Sequence, residues 1–177
     1  MEDKKAIFLK AYEEHSDAIF RYCLFKISDR EIALDIMQDT FTKTWEYMMK
    51  KDQGKQNEEI QNIKAFLYRV AGNLVIDQYR KKTTDSLEVL QEDGFDPSFD
   101  DTEILIDRLD GIKAIELLSK LPKDYKEALF LKYVQGLSIS EISEVTGDEK
   151  NTVTVRLHRG MEKLKALFDN KLNEQAR

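Results

Sequence analysis

The sequence has a single cysteine, two prolines, two histidines and no long apolar run. Because Cys23 is the one cysteine, the sequence excludes an intramolecular disulfide and a cysteine-cluster metal site. No stretch approaches the roughly 18 consecutive apolar residues of a membrane-spanning helix, and the opening MEDKK lacks the apolar core of a signal peptide. We therefore expect a cytoplasmic protein without direct membrane insertion. Cys23 lies in the apolar run IFRYCLFKI, which predicts a buried packing role for its thiol.

The signatures of common catalytic sites are also missing. The sequence contains neither a phosphate-cradling glycine loop nor an HExxH motif, and His15 and His158 lie far apart in the chain. We expect no enzymatic activity, no bound metal and no cofactor.

The formal net charge of -6 is concentrated in one segment. Residues 1–83 carry 15 basic and 14 acidic side chains, residues 111–177 carry 12 and 10, and residues 84–110 carry 1 and 10. The acidic segment also contains Gly94 and Pro97, which disfavour a continuous helix. It predicts a flexible linker between domains at 1–83 and 111–177, with a solvated loop as the alternative.

Apolar residues on both sides of this segment recur at helical spacing, and no part alternates like a strand, so the predicted fold is all-α with two small helical domains. Three stripes in the first domain predict three packed helices: Phe8, Tyr12, Ile19, Phe20, Cys23 and Ile27; Ile36, Met37, Phe41, Trp45 and Met48; Phe66, Leu67, Val70, Leu74 and Val75. Ser28 with Glu31 fits a capping box for the second helix. The polar stretch Lys50 to Asn62 predicts a loop.

The second domain has the spacing of a helix-turn-helix motif. Pro122 suits the first turn of a helix and Gly136 its end, while Ser138 with Glu141 makes a capping box. Gly147 permits a tight turn. Two stripes are expected to face the core: Ile139, Ile142 and Val145 on the short helix, and Val153, Leu157, Met161 and Leu164 on the next.

The remaining faces of that last helix carry side chains suited to DNA. Those near its N-terminal half, the part that enters a major groove, are Asn151, Thr152, Thr154, Val155, His158 and Arg159. Arg156, Lys163 and Lys165 add positive charge within reach of phosphates. Many helical hairpins carry polar surfaces without binding anything, so this stretch alone leaves a structural role open.

A second polar and aromatic set lies on the third predicted helix. The residues outside the apolar stripe of this helix, which are available for contacts with a ligand, are Tyr68, Arg69, Asn73, Gln78, Tyr79, Arg80, Lys81 and Lys82. Hydrogen-bonding groups, stacking rings and cations together suit single-stranded or melted nucleic acid. A core helix with a basic C-terminal end is the alternative, because cations there also favour the helix dipole.

Three blocks of this sequence resemble one family in order and spacing. They are ALDIMQDTFTKTWEYM, FLYRVAGNLVIDQYRKK and LPKDYKEALFLKYVQGLSISEISEVTGDEKNTVTVRLHRGMEKLKALF. The chain is similar to bacterial extracytoplasmic-function (ECF) sigma factors of the sigma-70 class, over about residues 6 to 82 and 112 to 168. The resemblance implies a non-catalytic promoter-specificity subunit that binds core RNA polymerase and directs initiation.

The resemblance also implies roles for particular residues. Asp35, Gln38 and Asp39 match positions that face the β' clamp helices of the polymerase, and the second domain would meet the β flap. Asn73 matches a position near the pocket for a flipped minus-ten base, and the loop at residues 50–62 matches the base-capturing loop. The first domain would be region 2, which melts the minus-ten element, and the second would be region 4, which reads the minus-thirty-five element. An anti-sigma factor is an expected partner.

The chain departs from the family pattern at four positions. Thr154 and Val155 stand where a basic and a small residue are common, which weakens phosphate attraction and presents methyl groups to thymine. Gly72 and Gly160 stand inside predicted helices, where they either loosen the helix or allow close packing. Two other functions remain as alternatives: a conventional helix-turn-helix regulator with a partner-binding N-terminal domain, and a protein-protein adaptor that binds no DNA.

Overall fold

The computed structural model describes residues 2–49, 60–85 and 112–175. Every regular element within these ranges is helical, so the all-α prediction is confirmed. The helices are α1 (Glu2–Ile27), α2 (Arg30–Met49), α3 (Ile63–Asp85), α4 (Ile112–Ser119), α5 (Lys123–Leu129), α6 (Ile139–Thr146) and α7 (Lys150–Gln175). A π-helical turn, Phe130–Val134, continues α5.

The chain divides into two compact units, Met1–Gln91 and Glu92–Arg177. Their boundary falls in the acidic segment, and residues 86–111 lie outside the described part of the chain, so the linker stays a prediction. No helix among the described residues is both long and apolar enough to cross a membrane.

In the first unit α1, α2 and α3 each pack against the other two. The core residues that the stripes predicted correctly are Ile19, Cys23, Ile36, Met37, Phe41, Leu67 and Val75. Tyr12 is a wrong prediction, because its ring is 44% exposed at the edge of the α1–α2 contact. Thr40 and Thr44 are fully buried, and each hydroxyl donates a 2.7 Å hydrogen bond to the carbonyl four residues earlier, which satisfies its donor within α2.

The junction between α1 and α2 differs from the predicted capping box. Asp29 rather than Ser28 caps α2, since its Oδ1 accepts a 3.0 Å hydrogen bond from the amide of Ile32. Ser28 has a left-handed backbone (φ 56) and ends α1, where its amide bonds the carbonyl of Leu24 at 2.8 Å. At α3, Asn62 Oδ1 accepts from the amide of Ala65 at 3.0 Å. Residues 60–62 of the predicted loop are non-helical, and its residues 50–59 lie outside the described range.

Cys23 is completely buried, as predicted. Burial raises the pKa of its thiol from the ordinary 9.0 to about 12, because the charged thiolate would lose its hydration. The thiol is therefore neutral at physiological pH and contributes through packing.

In the second unit α7 packs against α4, α5 and α6. Its core contains Leu117, Leu121, Leu129, Phe130, Leu131, Leu137, Ile142, Val153 and Leu157. Pro122 directly precedes α5, and Gly136 ends the π-helical turn with φ 66, a conformation that favours glycine. Both positions were predicted as helix boundaries.

Candidate nucleic-acid interface

Local sequence sets the geometry of the helix-turn-helix in the second unit. Ser138 and Glu141 form the predicted capping box: the hydroxyl accepts from the amide of Glu141 at 3.2 Å, and the carboxylate accepts from the amide of Ser138 at 2.8 Å. Gly147 ends α6 in the left-handed conformation (φ 77). The turn is closed by Ser143, whose hydroxyl donates to the carbonyl of Asp148 at 2.6 Å. These bonds fix the direction in which α7 leaves the turn.

The outer face of α7 presents most of the predicted DNA-contacting side chains. The exposed ones are Asn151, Thr152, Thr154, Val155, His158, Arg159, Lys163 and Lys165. His158 Nδ1 lies 3.7 Å from a carboxylate oxygen of Glu162, one turn later. Lys163 lies over the ring of Tyr125 with its ammonium nitrogen 6.0 Å from the ring centroid. The helix therefore combines polar, apolar and cationic groups on one accessible surface.

Arg156 differs from this set in its exposure and its partners. Its side chain is 27% exposed, and its guanidinium bonds the carboxylate of Asp148 and lies 3.5 Å from Asp124 Oδ2. Two carboxylates thus neutralise the charge that the sequence assigned to phosphate contact. The arginine instead joins three elements: the start of α5, the turn and α7.

The buried stripe of α7 also differs from prediction at one position. Val153 and Leu157 are buried as expected, but Met161 is 38% exposed and Gly160 is buried in its place. A β-carbon at Gly160 would lie 3.1 Å from Leu129 Cδ1 and 3.2 Å from Tyr125 Cβ. The glycine thus allows α5 and α7 to approach closely, which favours close packing over the alternative of a loosened helix.

The exposed face of α3 carries the second candidate surface. Arg69, Asn73, Tyr79, Arg80 and Lys81 are exposed and Gln78 is half-buried. The guanidinium of Arg69 lies 5.3 Å from the centroid of the Phe66 ring. Arg80 lies 3.7 Å from Asp77, although both side chains are more than half exposed. Tyr79 is held differently, because its hydroxyl donates to the backbone carbonyl of Lys26 on α1.

Tyr68 was predicted to be available on this face, and that prediction is wrong. The residue is fully buried, and its ring meets that of Tyr22 edge to face at 5.3 Å between centroids. The physical reason is that α3 packs on both α1 and α2, so it buries a wider arc than one stripe. Gly72 belongs to the same contact, since a β-carbon there would lie 3.2 Å from the Tyr22 hydroxyl.

On α2, Asp35, Gln38 and Asp39 are all exposed and share one face of the helix. Sequence reasoning missed the apolar groove beside them, between α1 and α2. Its walls are Lys5, Phe8, Leu9, Tyr12, Gln38, Phe41, Thr42 and Trp45. Leu9 is 49% exposed, and the Phe8 ring packs at a tilt against Trp45 with centroids 5.0 Å apart. The signal in the sequence was Leu9, an apolar residue outside the predicted stripe.

Ile76 is a second residue that the sequence analysis passed over. It is 46% exposed on α3, one turn from both Asn73 and Arg80. The signal was again an apolar residue outside the predicted stripe, in the middle of an otherwise polar surface.

Comparisons with known proteins agree with both units. Residues 11–84 match the family model for sigma-70 region 2, and residues 112–164 match the model for sigma-70, region 4. The ECF RNA polymerase sigma factor SigW of Bacillus subtilis is 29% identical over 168 residues, which cover 89% of this chain and 87% of SigW. SigM of the same organism is 26% identical over 166 residues, which cover 93% and 96%.

Among solved structures, the sigma factor RpoE in complex with the anti-sigma factor NepR from Bartonella quintana has a similar fold. The TM-score is 0.68 at 24% identity, over 96% of this chain and 98% of that one.

Proposed function

This chain belongs to the sigma-70 family as an ECF sigma factor, and we propose on that premise which of its surfaces serve each step of promoter recognition. It is a promoter-specificity subunit, which binds core RNA polymerase and directs transcription initiation at specific promoters without catalysing a reaction itself. The conventional regulator is not favoured as an alternative, because residues 11–84 match region 2 and such a regulator does not need that region.

We propose that the β' clamp helices of the polymerase bind the face of α2 that carries Asp35, Gln38 and Asp39. All three side chains are exposed, and the two carboxylates are one turn apart. The apolar groove at Leu9 and Tyr12 begins directly beside Gln38. Acidic groups next to an apolar groove suit a basic, amphipathic helical partner, since the charges orient the partner and the groove provides apolar burial.

The minus-ten element is assigned to α3. Arg69, Asn73 and Arg80 are exposed along one side of the helix, where cations meet phosphates and the amide of Asn73 meets the edge of an extruded base. Lys81 extends the cationic surface toward the end of the helix. Tyr79 contributes an exposed ring that its hydrogen bond to α1 holds in place. Tyr68 has no direct DNA contact in this assignment, and it supports α3 through its packing against Tyr22 in the core.

The minus-thirty-five element is assigned to α7, with Asn151, Thr152, Thr154, Val155, His158, Arg159 and Lys163 in contact with DNA and Arg156 as a support. The remainder of the second unit would meet the β flap. An anti-sigma factor is the proposed regulatory partner, supported by the fold shared with RpoE, which was solved with NepR. We propose a cytoplasmic location, because a protein that binds core polymerase and promoter DNA acts where both are found.

The observation that carries this proposal is the exposed polar face of α3, because an adaptor or a conventional regulator has no use for a second nucleic-acid surface. The test is permanganate footprinting of promoter fragments incubated with core polymerase, with and without the protein. We expect unpaired thymines near the transcription start only when the protein is present. Stable promoter complexes without reactive thymines would contradict the role of α3 and leave that of α7 intact.

A further inference from the structure

The centre of the outer face of α7 is apolar. At 100° per residue, Val155 lies almost opposite the buried positions Val153, Leu157 and Gly160. Its side chain is 46% exposed, although valine has a low helix propensity and its methyl groups interact poorly with water. The position of α7 that faces directly away from the core thus carries two methyl groups and no side-chain hydrogen-bonding group.

Thr154, the residue before Val155, lies about 100° around the helix from it. Its hydroxyl donates a 2.9 Å hydrogen bond to the carbonyl of Lys150, so its only proton is already engaged. A base edge approaching the exposed Thr154 side chain meets an acceptor oxygen and a methyl group.

The positively charged side chains of α7 lie beside Val155. Arg156 is paired with Asp148 and Asp124, while Arg159 and Lys163 are exposed on one side of Val155, one and two turns further along the helix. The cations are placed to contact phosphates and position the helix, and they leave the centre to read the base.

We propose that Val155, with Thr154, makes α7 select thymine methyl groups in the upstream promoter element; this rests on the proposed role of α7. Thymine alone presents an apolar group, its C5-methyl, in the major groove. Against any other base, Val155 would desolvate a donor or acceptor without replacing its hydrogen bond. The valine thus selects thymine by the contact it makes and by the bases it penalises.

The test uses deoxyuridine, which differs from thymidine only by the missing C5-methyl group. Promoter duplexes carry one thymine-to-deoxyuridine change at a time in the upstream element, and compete for holoenzyme assembled from core polymerase and the full chain. We expect one or two positions to weaken binding about fourfold, the loss that a buried methyl group predicts. Deoxyuridine placed outside both promoter elements is the control and should change nothing.

Two variants assign the effect to residues. Val155→Ala should weaken binding of the thymine duplex by a similar factor and remove the sensitivity to deoxyuridine at its position. Thr154→Ser keeps the bond to Lys150 and removes only the methyl group, so it should abolish sensitivity at a neighbouring position and leave the Val155 position unaffected.

Two results would overturn the proposal, and they are distinguishable. Equal binding of every deoxyuridine duplex by a holoenzyme that still prefers the intact element over a scrambled one would reject thymine-methyl selection alone. Failure to distinguish the intact element from the scrambled one would reject the role of α7 itself.

Discussion

Arg156 donates from its guanidinium to the carboxylate of Asp148, eight residues earlier and across the turn between α6 and α7. The same guanidinium lies 3.5 Å from Asp124 Oδ2 at the start of α5. The recognition helix is therefore held by an ion pair within the domain, and an arginine that the sequence assigned to phosphate contact supports the fold instead.

Replacing Arg156 with Ala should lower the stability of the second unit without changing the number of phosphate contacts. The half-buried carboxylate of Asp148 would lose its charged partner, so we expect a loss of roughly 1–3 kcal/mol in the free energy of unfolding, measured with urea. The slope of log affinity for promoter DNA against log salt should stay the same. Arg159→Ala is the matched variant: it should keep stability and reduce that slope by about 1. A reduced slope for Arg156→Ala would restore the phosphate role.

Reversing the charge at Asp39 should weaken binding to core polymerase. Asp39→Lys places a cation where we propose a basic partner, so we expect a loss of roughly tenfold or more in competition against a labelled sigma factor. Asp17→Lys, at an exposed position on α1, is the control and should compete like the unchanged chain. Equal competition by Asp39→Lys with an unchanged helical spectrum would remove α2 from the polymerase interface.

Asn73 and Tyr68 should separate DNA recognition from packing within α3. Asn73→Ala removes an exposed amide, so we expect unchanged stability and a drop of roughly 2- to 10-fold in open-complex formation, the range of one lost hydrogen bond. Tyr68→Ala opens a cavity against Tyr22 and should cost about 3–5 kcal/mol of stability. Permanganate reactivity and thermal unfolding of both variants distinguish the roles; a stable Tyr68→Ala protein defective only in melting would contradict the assignment.

The two helical glycines should respond differently to alanine. At Gly160 the new β-carbon would lie within 3.3 Å of atoms from both Leu129 and Tyr125, so overpacking of about 1–3 kcal/mol should exceed the gain of roughly 1 kcal/mol in helix propensity. At Gly72 the β-carbon would meet a single atom, the Tyr22 hydroxyl at 3.2 Å, and the two effects should nearly cancel. Thermal unfolding of both variants gives the comparison. A stabilised Gly160→Ala protein would show that α5 and α7 are not in close contact.

Local signals in this sequence predicted local structure well. The capping box of Ser138 and Glu141 and the turn at Gly147 depend on residues within a few positions of one another, and both are confirmed. The buried face of Tyr68 and the pairing of Arg156 depend instead on neighbours that only the fold brings near. Helical periodicity places a residue on a face, but it does not say how many helices cover that face.

The candidate site shows the same difference between features that the sequence indicates and contacts that only the fold creates. The face of α7 was found because polar and cationic residues lie outside its buried stripe, whereas the face of α2 was found only through the resemblance to the sigma-factor family. The groove beside Gln38 was missed, because Phe8 and Tyr12 fit a core stripe and only the α1–α2 packing shows that their rings stay partly open. The role of Gly160 could not be chosen from the sequence for a related reason, because its close neighbour Leu129 is distant in sequence and no local pattern indicates their contact.

The thiol of Cys23 should be inert until the protein unfolds. Its pKa is raised to about 12 in the folded chain, so at pH 8 a thiol reagent should modify it only in denaturant. The unfolded thiol ionises near pH 9 and the folded one does not, so this group's contribution to stability is complete below about pH 9 and declines as the pH rises toward 12. Because the chain has one cysteine, the labelling signal has a single source. Rapid modification of the native protein would contradict the burial.

Run-off transcription tests the central claim most directly: purified core polymerase, this protein and a pool of promoter fragments, with the transcript starts sequenced. We predict starts that require the protein and that lie downstream of a shared two-part motif, at minus ten and minus thirty-five. Such a motif would also supply the upstream element for the deoxyuridine experiment. Starts that are the same with and without the protein, together with salt-sensitive DNA binding by the protein alone, would contradict a promoter-specificity subunit and indicate a conventional regulator.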